Sequence, residues 1–330
     1  MWWGVVFVTL AVGSNQSPAQ PLTIINVGHA QISPNALAVW VARDRGLFRK
    51  YGLDPRIVFL AGETKISQAL IAGELQMGIG GGTGTIRSAA RGGDLVFIAG
   101  LINQLNFKLW TKASSPVARV EQLKGKSVGV GGIGDLPHMV GRLILAEHGM
   151  KPTDVAFIAL GSGPARLAGL EKGVVDAAIF GPFGAGVAGR LKLIFDAANL
   201  KVPYPSTSVI STKRFIQSNP DVMEKAVKTL AESASFIHNP ANKGSVEETL
   251  KMRLNLNSPG EVESYYKETL HSLDQTLSLP VKGVEAFIKF LAEEDPLVGK
   301  VKVDDVVDLR FVQNLVKAGF FEHIGAKVKQ

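Results

Sequence analysis

From Leu22 onward the apolar residues fall into two alternating rhythms. LTIINVG, PRIVFLAG, LQMGIGG and LVFIAGLI are short runs bounded by turn residues and read as strands. NALAVWVARDRG, TKISQALIAGE and GTIRSAARGG space their apolar residues by three and four and read as helices, the first closing on Gly46. Strands and helices in alternation predict a mostly parallel sheet with helices on its faces. The pattern starts again at Ser127 with SVGVGG, LPHMVGRLILAEHG, VAFIALG, GPARLAGLEKG and VDAAIFG. Gly28 and Gly131, like Gly46 and Gly149, stand 103 residues apart, and Leu70, Gly73 and Ile79 meet Leu170, Gly173 and Ile179 at a step of 100. The helix-ending glycines coincide as well as the apolar positions, so the chain is read as two similar α/β lobes. Beyond about residue 212 amphipathic helices take over: NPDVMEKAVKTLAESASFIHN, one opened by the capping box Ser258-Pro259-Gly260-Glu261, VEAFIKFLAEE, and DDVVDLRFVQNLVKAG stopping at Gly319. They show no polar constellation of their own and are expected to brace the first lobe.

Composition narrows the function classes. A chain of 330 residues, 46% hydrophobic and 20% charged, suits two domains with a core each. The net charge of +7 is dispersed, without a run of five like charges, and aromatics are only 7%. That argues for weak steering of anions and against nucleic acid. There is no cysteine, which excludes disulfides, a thiol nucleophile and thiolate metal sites. The apolar run Trp2 to Val12 is too short to span a bilayer and is followed by Ser17-Pro18-Ala19. This predicts a signal peptide, residues 1–19, cleaved after Ala19, and a periplasmic mature protein. No two histidines stand at helical spacing with an acid, so neither a metal nor a cofactor is expected.

GVGGIG, at Gly129, Gly131 and Gly134, has the spacing of a dinucleotide fingerprint. That motif needs an acid at the end of the following strand to hold a ribose. VAFIALG ends instead in Leu160-Gly161-Ser162, and a second match at Gly184, Gly186 and Gly189 also lacks its acid. Dinucleotide-dependent redox chemistry is set aside on that ground.

Four stretches, PNALAVWVARDRGLFRKYGLDPRIVFLAG, QALIAGELQMGIGG, EQLKGKSVGVGGIGD and RLAGLEKGVVDAAIFGP, carry a family resemblance that runs from about residue 22 to about residue 240. The sequence resembles the solute-binding proteins of ABC importers in the nitrate, sulfonate, taurine and thiamine-precursor group. The resemblance implies the type II periplasmic binding fold: two lobes, 20–105 with a return at 209–330, and 106–208, joined by a two-segment hinge near Asn103–Asn106 and Tyr204–Ser208. It implies a monomer that captures a small anionic or aromatic solute by lobe closure and hands it to an inner-membrane permease, without covalent chemistry. The thiamine pyrimidine synthases share the resemblance and supply an enzymatic alternative. A ligand-sensing component of a membrane receptor is another.

In open α/β sheets ligands lie beyond the carboxyl ends of the strands. In the first lobe this selects His29, Ser33, Pro34, Asn35, the loop Gly82, Thr83 and Gly84, and Asn103. In the second it selects Gly132, Gly134, His138, Ser162, Arg166, Pro182 and Phe183, with Tyr204 at the crossing. GGTGT and GGIGD each precede a helix and are read as seats for an anion at a helix N-terminus. Thr83 is read either as a cap or as a ligand contact. Asp135 is read as an N-cap, and Phe183 as an aromatic wall or as packing under the hinge. Arg166 could grip a carboxylate or sulfonate with both nitrogens, or remain solvated.

Overall fold

The computed structural model describes Met1 and residues 21–183, 185–200, 203–293 and 295–326. The expected leader lies outside these residues. The described residues form ten strands: β1 Thr23–His29, β2 Leu53–Phe59, β3 Met77–Gly80, β4 Leu95–Gln104, β5 Lys108–Lys112, β6 Ser127–Val130, β7 Ala156–Ala159, β8 Ala177–Phe180, β9 Leu191–Asp196 and β10 Pro203–Thr212. They form two five-stranded mixed sheets, ordered β2-β1-β3-β10-β4 and β7-β6-β8-β5-β9. In each sheet four strands run in one direction, and the fifth, β10 or β5, lies antiparallel between the third strand and the edge strand. Each antiparallel strand, β5 or β10, enters its sheet directly after the chain has crossed from the other sheet. This is the two-lobed fold with a two-segment hinge and C-terminal helices. No helix among the described residues is long and apolar enough to cross a membrane.

The repeat is real, and its register needs one correction. Gly28 pairs with Gly78 on β3, and Gly129 pairs with Ala178 on β8. Gly28 also faces Val58 on β2, and Gly129 faces Ile158 on β7. Gly28 therefore corresponds to Gly129 rather than to Gly131. Two extra residues enter the second copy between the strand and its helix-ending glycine. The helix ends themselves match: Gly73 and Gly173 hold φ of 79° and 76°, a left-handed conformation that closes a helix and that glycine adopts without strain. Gly28 and Gly78 let the helix Glu63–Ile71 lie close on the sheet, where a Cβ at either glycine would collide with Ile66.

The C-terminal helices pack on the first sheet, as expected. Val227, Leu230, Ala234, Leu250, Phe311 and Leu315 share one buried cluster with Ile25, Val27, Ile98 and Val209. Three local expectations are revised. Ser258 stands at the N-cap of the helix Pro259–Ser272, but its hydroxyl makes no cap hydrogen bond; Pro259, with φ preset and no N–H to satisfy, opens the helix. DDVVDLRFVQNLVKAG forms two helices, Val303–Val306 and Arg310–Lys317, because Val307 leaves the helix to bridge Phe97 on β4. Tyr204–Ser208 is not a free crossing but the buried beginning of β10, hydrogen-bonded to its neighbours from Thr207 onward.

Candidate functional site

The carboxyl ends of both sheets face one cavity of about 240 Å³. The first lobe contributes Ala30, Gln31, Ile32 and Ser33 after β1, Phe59 at the end of β2, and Gly62 and Glu63 at the start of the next helix. The second contributes Gly131, Asp135, Pro137, Gly161 to Pro164, Arg166, Leu167, Phe180 to Phe183 and Val187. Leu254 and Tyr265 from the C-terminal helices complete the wall. Most of this lining is apolar or aromatic, with few polar groups, the usual make-up of a small-molecule site.

Among the described residues, two carboxyls and one guanidinium border the cavity, and all are buried. Glu63, at the first turn of its helix, accepts from the backbone N–H of Gly81 (2.9 Å) and Thr83 (3.3 Å) and from the Thr83 hydroxyl (2.6 Å). Burial raises its carboxyl above the usual range, against the pull of those three donors. Asp135 caps the helix Leu136–Glu147 by accepting from His138 N at 3.1 Å. Its carboxyl is pushed up to about 7, first by burial and then by the charge of Glu63 across the cleft. Arg166 lies one turn into the helix Gly163–Lys172. Its Nη1 donates to Gly161 O at 2.5 Å, its guanidinium sits 5.6 Å from the centre of the Phe180 ring, and its buried Nε has no hydrogen-bond partner. Burial lowers its pKa, and Asp135 opposes that.

Of the sixteen residues selected from sequence, the structure brings Ser33, Ser162, Arg166, Pro182 and Phe183 to the cavity wall. The others lie elsewhere. His29 is packed against Trp40 and Phe59, with Nδ1 donating to Gln31 O at 2.9 Å; burial lowers its pKa. With Asn35 it borders a gap of only about 10 Å³. Pro34 is buried, and Asn35 accepts from Asn106 at 2.9 Å, tying the hinge to the first lobe. Gly82 lies against Phe97, Thr83 is engaged by Glu63, and Gly84 lies against Ser67. Asn103 donates to Ser278 O. Gly132 and Gly134 stay off the wall. His138 accepts from Gly134 N through Nδ1 at 3.0 Å and meets Phe157 edge-on, and burial pushes it down to about 4. Tyr204 is fully enclosed, donating to Gly81 O at 2.5 Å and stacked on Phe287. Neither glycine loop is an open anion seat: Glu63 fills GGTGT, and Asp135 closes GGIGD.

Sequence reasoning missed Glu63, Gln31, Phe59 and Tyr265 as cavity residues. Glu63 was visible as an acid opening a helix otherwise rich in apolar residues. Tyr265 had no local signal, because a distant helix delivers it. Among the described residues, no group of three or more His, Cys, Asp or Glu is placed to hold a metal ion.

Two facing mixed sheets with a cavity at their carboxyl ends define the type II periplasmic binding protein fold. The chain belongs to the family described as NMT1/THI5 like, which it matches over residues 33–243. It is similar to the alkanesulfonate-binding protein SsuA of Xanthomonas axonopodis pv. citri, solved bound to MOPS, at 18% identity and a TM-score of 0.72, covering 88% of this chain and 100% of that one. It is 22% identical to the 4-amino-5-hydroxymethyl-2-methylpyrimidine phosphate synthase THI12 of Saccharomyces cerevisiae over 227 residues, 63% of this chain. The match spans 64% of that synthase's length. A Brucella abortus protein provisionally named a binding protein is 28% identical over 204 residues, covering 59% of this chain and 61% of its own length.

Proposed function

We propose that the chain is the exported solute-binding component of an ABC importer. It captures one small solute with an anionic head and an apolar or aromatic body, and presents the closed form to a membrane permease. The observation that carries this reading is the cavity walled by both lobes, with the buried Arg166 keeping an unpartnered Nε. A solute touching both walls stabilises the closed arrangement by its differential affinity for it. The aromatic side chains Phe59, Phe180, Phe183 and Tyr265 supply surface for the body of the solute. Export rests on the apolar leader.

The test is a thermal-unfolding screen of small sulfonates, carboxylates, nitrate and pyrimidines. One class should raise the melting temperature, with a gain of about 2.7 kcal/mol at a solute concentration about 100 times its Kd. A screen in which nothing shifts the transition overturns the reading. The second reading, a pyrimidine-synthase-like enzyme, is favoured by the similarity to the yeast synthase. It predicts bound iron or a cofactor absorbance in the purified protein.

A further inference from the structure

Among the described residues, one fixed cation and two carboxyls border the cavity, in an arrangement that treats the two acids differently. Glu63, Asp135 and Arg166 are only 5%, 5% and 7% exposed. Glu63 accepts three hydrogen bonds from its own lobe. Asp135 spends Oδ1 on the His138 N–H, and the Gly132 backbone also favours its ionised form, though burial outweighs both. Its Oδ2 packs against Gly131, where Arg166 Nη1 also lies: a Cβ on that glycine would run into Oδ2 and come within 3.1 Å of Nη1. An anion that reaches Arg166 therefore arrives beside Asp135 and opposite Glu63. Three negative groups around one guanidinium in a mostly apolar enclosure repel one another strongly.

We propose that Asp135 couples anion capture to proton uptake: for each anion bound at Arg166, one proton from bulk water joins Asp135 Oδ2. The proposal rests on the reading of the cleft as a solute site. An O–H bond forms at Oδ2 and nothing else changes covalently. The helix cap survives, because Oδ1 still accepts from His138 N, and the new O–H can donate to the anion. Glu63 is the poorer acceptor, since three donors to its carboxyl favour the ionised form there. Besides Glu63 and Arg166, the groups facing Asp135 are His138 on its own helix and Arg87, which reaches Gly134 from the first lobe. His138, held down to about 4 and with Nδ1 accepting from Gly134 N, stays neutral and takes no part. Burial and the Glu63 charge already bring the Asp135 carboxyl to about 7, where a neighbouring anion raises it further.

The experiment is calorimetric titration of the full chain with benzoate and with benzenesulfonate, both ionised throughout, from about pH 6 to about pH 9. The association constant should fall toward tenfold per pH unit above about 7 and level off below it. At a fixed pH of about 8, where free Asp135 is mostly ionised, repeating the titration in buffers of different ionisation enthalpy should count close to one proton taken up per anion. Asp135→Asn, which keeps the cap, should abolish both the slope and the uptake. Strong binding with no pH slope and no proton uptake overturns the coupling while leaving the solute site standing. Binding of the neutral analogue benzamide but of neither anion overturns it too. Silence from all three probes overturns it as well, whereas the site reading falls only if the whole solute screen is also silent.

Discussion

The two lobes share strand order, helix-ending glycines and cavity-facing loops, yet they treat one equivalent position in opposite ways. At the step of 100 that joins the copies, Ile66 in the first lobe corresponds to Arg166 in the second. Ile66 is 1% exposed and packed beneath Gly28 and Gly78, so this turn of helix is pure core. Arg166 is almost as buried, at 7%, but its guanidinium leans over Phe180 into the cavity. The acids are arranged the other way round. Glu63 opens the first-lobe helix, and its counterpart is Gly163. One copy of the unit has thus kept an apolar anchor and turned its acid inward to hold its own loop. The other has given up the anchor for a cation. A shared scaffold fixes where side chains emerge, and a single exchange at one of those places decides whether the side chain packs in the core or borders the cavity.

The sharpest way to break this comparison is to exchange the two residues one at a time. Ile66→Arg should destabilise most, by about 4 kcal/mol or more, because the charge enters a sealed site without a partner. The check is urea unfolding with the midpoint read at constant m. A loss below about 1 kcal/mol would mean that the first-lobe helix can tilt its side chain out as the second does, and the lobes would differ less than argued.

The converse exchange, Arg166→Ile, should act mainly on binding. Removing a buried cation from beside an anion weakens capture by about 3 kcal/mol, roughly a hundredfold or more in Kd. Stability should hold or rise, since an apolar residue replaces a buried charge and Asp135 can neutralise itself by taking a proton. The opposite result, unfolding at low denaturant with Kd unchanged, would make Arg166 a brace for Gly161 and not a ligand group.

The elements built from local periodicity were readable in the sequence, and those built from long-range pairing were not. β1 and the helix Leu37–Asp44 announce themselves by period and by a terminal glycine. β5, with five residues, and β10, whose first residues include two prolines, become strands only because the other sheet offers them an edge. The rule that ligands gather beyond strand ends selected Ser33, Ser162, Arg166, Pro182 and Phe183, which reach the cavity wall. Thr83 and Gly134, selected by the same rule, do not, because the loop geometry that can seat a foreign anion serves equally well for the protein's own carboxylates. Sequence spacing does not say that Glu63, 18 residues before Gly81, will arrive there first. Tyr204 was chosen for its place at the crossing, and packing on Phe287 withdrew it.

The smallest expected effect concerns the helix starts, where the copies differ by one hydroxyl. Gly62 begins the first-lobe helix without a side-chain cap, whereas Ser162 begins the second and accepts from Ala165 N. Both residues border the cavity, so Ser162 could serve the helix, the solute or both. Its hydrogen bond is long, at 3.4 Å, and solvent-exposed, which places the cap at the weak end of the known range. Ser162→Ala should therefore cost about 0.5 kcal/mol of stability, with Kd changed by less than about twofold because the hydroxyl is already engaged. Ser162→Gly, which copies the first lobe, should lose only a few tenths of a kcal/mol. Paired denaturation and calorimetry on the two variants separate the roles. An unchanged unfolding midpoint with Kd weakened about tenfold would move Ser162 from the helix to the solute, and the second lobe would then hold its ligand with a hydroxyl as well as a cation.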